Sequence, residues 1–134
     1  MDLEAIFEGI NVDLDKLKPI GKFSSVHEKS IKGVKYLYVS GTASMEAPYD
    51  IERQSLVTFA TIHRLLQSKG SGLEDVVKIT AFLPDMLEYD KYNKVRNQVF
   101  ASFAMPPASS TVEAKLVRPQ LRVEIEAFAI AEDK

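Results

Sequence analysis

Four side chains able to do chemistry recur at every second position in the stretch AMPPASSTVEAKL: Ser109, Thr111, Glu113 and Lys115. A period of two puts them on one side of a strand, so two hydroxyls, an acid and an amine stand in a row. Such a row is a catalytic set, a set that has lost its chemistry, or the wet side of a sheet, and spacing alone leaves all three open. A second pair, Glu124 and Glu126, shares one side of a later strand. Two carboxylates suit general acid–base work, and equally suit basic partners at a contact. Arg122, roughly 6–7 Å from Glu124 along that strand, either reaches a cleft or pairs with Glu124 or Glu113 at a subunit contact. His27 and His63 show no ligand-type spacing, so no metal site is expected. With no cysteine in the chain, thiolate nucleophiles, disulfides, Fe–S clusters and cysteine-based zinc sites are excluded together. Phosphate-loop, dinucleotide and nucleophile-elbow motifs are absent, and no cofactor is expected.

The elements that must position these residues follow from hydrophobic periodicity. The 134 residues suffice for one domain and are too few for two comfortable ones. Residues 1–18 read as a separate opening segment. In it Leu3, Ile6, Phe7 and Ile10 mark one face of a short helix that Gly9 can end, packed over the body or lying as a lid. Pro19 and Gly21 mark the start of a single domain over 19–134. Strands are expected over about 22–31 and 34–40, joined near Lys32-Gly33, followed by a polar loop with Pro48. Asp50 reads as the N-cap of a helix over about 51–69, with Ile51, Phe59, Ile62, Leu65 and Leu66 as its buried stripe and Gly70 as its stop. A strand over 76–83 ends at Pro84. Asp85-x-x-Glu88 has the form of a capping box, and the helix behind it carries Tyr92, Val95, Val99, Phe100 and Phe103 at helical spacing. Strands over 108–117 and 121–130 complete the order β-β-α-β-α-β-β, an α+β fold.

The last strand carries the most information. Leu121, Val123, Ile125, Ala127 and Ala129 suit a face covered by helices. On the other side Arg122, Glu124, Glu126, Phe128 and Ile130 mix acids with residues that want burial. One sheet with two helices on one face and a partner subunit on the other resolves that conflict. Lys29, Lys32 and Lys35 gather near the first turn beside Tyr36 and Tyr38. With a formal charge of −2, they read as a solvated hairpin tip, and nucleic acid is not an expected partner. No apolar stretch approaches the roughly 20 residues that span a bilayer, and the acidic start MDLEAIFEGI is unlike a secretory signal. The expectation is a cytoplasmic protein with no membrane partner.

Four stretches then resemble one family: PIGKFSSV at 19–26, YLYVSGTAS at 36–44, LEDVVKITAFLPDMLEYDKYNKVRNQVF at 73–100, and PPASSTVEAKLVRPQLRVEIEAFAIA at 106–131. They are similar to the RidA/YjgF family, also labelled endoribonuclease L-PSP, and cover nearly everything after residue 18. The resemblance implies a chorismate-mutase-like homotrimer, with three sheets forming a central barrel and ligand clefts between neighbouring subunits. It also implies hydrolysis of reactive imines and enamines such as 2-aminoacrylate, by water attack on a C=N carbon. The family's ribonuclease label gains no support from the residues, which contain no histidine pair or His–Lys set for in-line cleavage.

Carried over residue by residue, the resemblance puts the family's cleft glycine on Gly41, preceded by Ser40, and its helix asparagine on Asn93. The water-positioning glutamate falls on Glu124, and the residue whose carbonyl helps hold that water falls on Thr111. The pattern departs in three places. Phe23 stands for a tyrosine, Thr42 for a glutamine, and Ser109, in P-A-S-S, for the arginine of P-A-R-S. A serine offers one neutral hydrogen bond where a guanidinium offers two charge-assisted ones. That loss costs at least about 2–3 kcal/mol in carboxylate binding, on the order of a hundredfold. The resulting expectation is a small-molecule-binding homotrimer that is not a typical 2-aminoacrylate deaminase, its ligand held by Phe23, Ser40, Gly41, Asn93, Ser109, Thr111 and Arg122. The alternative is a divergent imine or enamine hydrolase, working without metal on a different substrate.

Overall fold

In the computed structural model, which describes residues 2–45 and 50–133, strands β1 (Val26–Ile31), β2 (Val34–Thr42), β3 (Val76–Leu83), β4 (Ala108–Glu113) and β5 (Glu124–Glu132) form one sheet. Its order is β1-β2-β5-β3-β4. The loop position Pro48 lies outside the described residues. Helices α2 (Ile51–Gln67) and α3 (Tyr89–Val99) cover one face, and a short α1 (Leu3–Ile6) precedes the sheet. Only the β3–β4 pairing is parallel, and α3 supplies the crossover that a parallel pair needs.

β5 is central, antiparallel to both β2 and β3. Its Ile125, Ala127, Ala129 and Ala131 are buried, and the small alanines let the helices lie close. Leu37 and Val39 of β2, with Ile79, Ala81 and Leu83 of β3, complete the sheet's share of the core. The five apolar residues expected along α2 are all buried. Phe59 of α2 stacks with Tyr92 of α3 at 6.3 Å and meets Phe100 edge-on at 5.5 Å. Asp50 caps α2 by accepting from the Arg53 N–H at 2.8 Å, and Gly70, at φ 78°, lets the chain turn away. At the β1–β2 turn both Lys32 (φ 50°) and Gly33 (φ 80°) take the left-handed conformation, which matches a tight hairpin to the twist of its strands.

Several element boundaries differ from expectation, and pairing explains them. β1 starts at Val26, where its ladder with Val39 begins. β4 stops at Glu113 because its sole partner, β3, ends at Leu83 before Pro84; the last bond runs from the Ala114 N–H to the Leu83 carbonyl. Lys115 therefore falls outside the strand, and the expected row of four shortens to three. β5 begins at Glu124, opposite Phe82; Leu121 and Val123 are buried ahead of it without ladder bonds. The capping box forms by half. Asp85 accepts from the Leu87 N–H at 3.0 Å, but Glu88 turns to Arg122 instead.

Among the described residues no helix covers the second face of the sheet. On it Phe128 stacks between Tyr38 (4.6 Å) and Tyr36 (6.4 Å). Tyr38 is 51% exposed and Ile130 39% exposed, so an aromatic and aliphatic strip lies open in the single chain, as the alternation along β5 required.

Candidate functional site

Two separate groups of polar side chains emerge. The first is built where β5 meets the irregular end of β2. The β2–β5 register slips between Val39 and Thr42, which brings Gly41 beneath the Glu124 side chain. A Cβ on Gly41 would stand 2.9 Å from the Glu124 Cδ and 3.3 Å from its Cγ, so only glycine lets this carboxylate approach β2 so closely. Ser40 and Thr42 flank it. The Ser40 hydroxyl donates to the Ser24 carbonyl at 2.6 Å and the Thr42 hydroxyl to the Ser40 carbonyl at 2.8 Å, so both serve chiefly to shape the bend. A cavity of about 440 Å³ opens here between Ile20, Phe23, Gly41, Thr61, Leu65 and Glu124. Burial raises the Glu124 carboxyl above its ordinary range, and the neighbouring charge of Glu126 adds to the effect. A carboxylate displaced this way works better as a proton acceptor near neutral pH.

The opening segment divides around this site. Ile6, Phe7 and Ile10 join the core, Phe7 lies 5.9 Å from the His63 ring, and Glu4 grips Arg64 at 2.7 and 2.8 Å. The chain from Leu17 to Ile20 then borders the cavity. His63 is structural: its Nδ1 accepts from the Leu73 N–H at 3.1 Å, and burial lowers its pKa.

The second group lies between α3 and the edge strand β4. Ser109 faces Ile79 and Thr111 faces Ala81 in the parallel ladder, and both partners point into the helix layer. From α3, Asn93 and Arg96 reach the same place, one helical turn apart. The Arg96 guanidinium donates to Asn93 Oδ1 and, at 3.3 Å, to the Ser109 hydroxyl. A longer bond of 3.4 Å reaches Asn97, and the Cζ lies 5.7 Å from the Tyr92 ring centre. The Tyr89 hydroxyl also leans on Asn93 Oδ1 at 3.4 Å. A cavity of about 530 Å³ opens beside Arg96, walled by Tyr89, Phe100, Pro106, Pro107 and Ser109. Ser110, one residue on, points to the open face, where its hydroxyl accepts from Lys78 at 2.8 Å.

The structure thus places Phe23, Ser40, Gly41 and Glu124 together, and Asn93 with Ser109 elsewhere, Thr111 lying further along the Ser109 side of β4. Arg122 stands apart from both: its Nε and Nη2 donate to the Glu88 carboxylate, and its backbone N–H donates to Gln54. Within the chain Arg122 pairs with neither Glu124 nor Glu113; the 3-10 turn before α3 supplies its partner. Arg96 escaped the sequence reading. Its one available signal was its position three residues after Asn93, and nothing local connects that helix face with position 109.

Within one chain the two groups cannot meet. Glu124 sits opposite Phe82 and Ser109 opposite Ile79, with β3 between them. They occupy opposite faces of the sheet, separated by about 10 Å across the strands and about 10 Å along them.

Known proteins are similar to this chain in sequence and overall fold. The family described as Endoribonuclease L-PSP matches residues 14–131. A RutC family protein of Pyrococcus horikoshii is 31% identical over 121 residues, covering 86% of this chain and 91% of the relative. An Escherichia coli relative that carries reactive intermediate deaminase in its name is 27% identical over 86 residues, 63% of this chain and 67% of its own. The crystal structure of a YjgF family member from Neisseria meningitidis superimposes with a TM-score of 0.72 at 29% identity, over 87% of this chain and 92% of that one. The family match over residues 14–131, the identity over most of both chains and the superposition agree: the chain belongs to the endoribonuclease L-PSP family, the RidA/YjgF proteins.

Proposed function

We propose that the protein assembles as a homotrimer and binds a small metabolite in clefts shared between neighbouring copies. One observation carries this reading: the Glu124 group and the Ser109 group lie on opposite faces of the sheet, so a cleft containing both needs two chains. The open strip around Tyr38, Phe128 and Ile130 supports it, because burying apolar surface against a second sheet contributes roughly 25 cal/mol per Å². A closed ring of three leaves no copy of that surface unmatched. The cytoplasm is the compartment we assign, a reducing environment that a chain without cysteine suits. Nothing in either group provides the cationic track that nucleic acid requires, and no helix among the described residues is long and apolar enough to cross a membrane.

A second reading, imine hydrolysis, is favoured by the raised Glu124 carboxyl and by the name of the Escherichia coli relative. In it Glu124 takes a proton from water as the oxygen adds to the C=N carbon, and the proton passes to nitrogen. Collapse of the tetrahedral adduct forms C=O and releases ammonia, with no net redox change.

Sedimentation equilibrium tests the assembly: the expected mass is three times the 15.0 kDa chain, and a lone protomer at working concentration refutes it. Enamines generated in situ by a pyridoxal-dependent lyase separate the two readings. Acceleration of ammonia and 2-oxo acid release establishes hydrolysis; its absence across a panel of amino acids leaves binding alone.

A further inference from the structure

The Arg96 guanidinium has five N–H groups, and three are taken, by the oxygens of Asn93, Asn97 and Ser109. All three acceptors are neutral, so the positive charge stays uncompensated. No carboxylate pairs with Arg96 among the described residues, whereas Arg64 and Arg122 are each paired with a glutamate. Two N–H groups remain without an acceptor in hydrogen-bond geometry among the described residues, beside a cavity of about 530 Å³. The side chain is half-buried and held from the strand side, the helix side and the Tyr92 ring, which fixes a normally mobile chain before any ligand arrives.

Behind the guanidinium lies the Tyr92 ring. The Tyr92 hydroxyl is fully enclosed and has no hydrogen-bond partner among the described residues. Burial pushes its pKa up to about 12, with the nearby Arg96 and Ser109 side chains acting in the opposite direction. A buried hydroxyl left unsatisfied is rare and costs stability.

We infer that Arg96, projected from α3, is the anion anchor of the shared cleft and holds a small carboxylate, with Ser109 and Asn93 as the residues that position it. The inference rests on the shared-cleft reading above and names its ligand class. A planar fork with free N–H groups matches the two oxygens of a carboxylate. Ser109 then takes a different meaning. It is the short side chain that leaves space for a guanidinium arriving from the helix, where a longer residue on β4 would collide with it.

The test uses the full chain and two probes of one shape, pyruvate and its uncharged amide, titrated by NMR or calorimetry. Wild type binds pyruvate and binds pyruvamide at least about tenfold more weakly. Arg96→Gln weakens pyruvate about tenfold to a hundredfold and leaves pyruvamide within about twofold. Arg96→Lys, which keeps the charge and loses the fork, falls between. The double substitution Arg96→Gln with Ser109→Arg restores pyruvate binding by supplying the guanidinium from the strand, a recovery that a purely structural role of Arg96 does not predict. Pyruvate binding unchanged by Arg96→Gln, equal binding of the two probes, or no binding of pyruvate by wild type overturns the inference. Gly41→Val, which fills the space beneath Glu124 in the other half, tests the reading beneath it. If Gly41→Val abolishes binding while Arg96→Gln does nothing, the cleft stands and the anchor is wrong. If Arg96→Gln acts alone, the anchor stands and the shared cleft is wrong.

Discussion

Two individually defective variants are expected to repair each other, and the extent of repair is set by how the halves are distributed. Gly41→Val blocks the Glu124 half, since even its Cβ stands 2.9 Å from the Glu124 Cδ, closer than packed carbon atoms tolerate. Arg96→Gln removes the guanidinium beside Ser109 and leaves the Glu124 half intact. Neither chain alone contains a complete pair of halves. If a site takes one half from each of two neighbours, it is whole only when an Arg96→Gln chain supplies the Glu124 half and a Gly41→Val chain supplies the Arg96 half. In a ring with random placement from an equal mixture, each of those choices has a chance of about one half, so about a quarter of the sites recover. The assay co-expresses the two variants, confirms the mass of the mixed oligomer, and measures pyruvate stoichiometry against wild type. A stoichiometry near zero in verified mixed oligomers refutes the reasoning, because a site contained in one chain is never rebuilt by mixing. Both substitutions lie near the surface, and each homo-oligomer is expected to keep a thermal midpoint within about 4 °C of wild type, a change of about 1 kcal/mol or less.

Acidification is expected to weaken the fold through His63. Because burial holds its pKa below the ordinary 6.5, the unfolded chain takes up the proton first as the pH falls through 6.5, and stability drops from there downward. Protonation also ends the bond from the Leu73 N–H, worth about 1 kcal/mol; urea midpoints between pH 7.5 and 5.5 should decline in wild type and lose most of that slope in His63→Gln. Glu124→Gln should act in the opposite sense on stability and against any turnover. The folded-state carboxyl is raised, so its stability contribution is lost as the pH rises above about 4.5. The neutral amide should lift the melting temperature at pH 7 by about 1–3 °C, while any imine hydrolysis falls by about a hundredfold or more.

Local pattern made most of the fold legible. The run Val76–Leu83 ends at Pro84 as expected; α2 starts at its Asp50 cap; the alternation along β5 named the residues of the helix-covered face and of the open one. Strand limits were legible only to within a few residues, because a strand ends where its partner does. Thus Lys115 left the row when β3 ran out, which nothing near Lys115 signals. Of the site, the residues of the Glu124 half lay within short matched stretches and came out as a group. The fate of Arg122 did not, because its partner Glu88 is 34 positions away.

By itself the sequence determined the element order, the two unequal faces of the sheet and the absence of an arginine at position 109, since all three are encoded in side-chain type and short-range period. The tertiary structure alone decided that Glu124 and Ser109 face opposite ways and that a guanidinium nevertheless stands beside Ser109. Both depend on the parallel β3–β4 crossover, which folds α3 back over an edge strand and brings Arg96 against a residue 13 positions later. Periodicity reports which way a side chain points within its own element. Which element lies opposite is set by packing the whole chain.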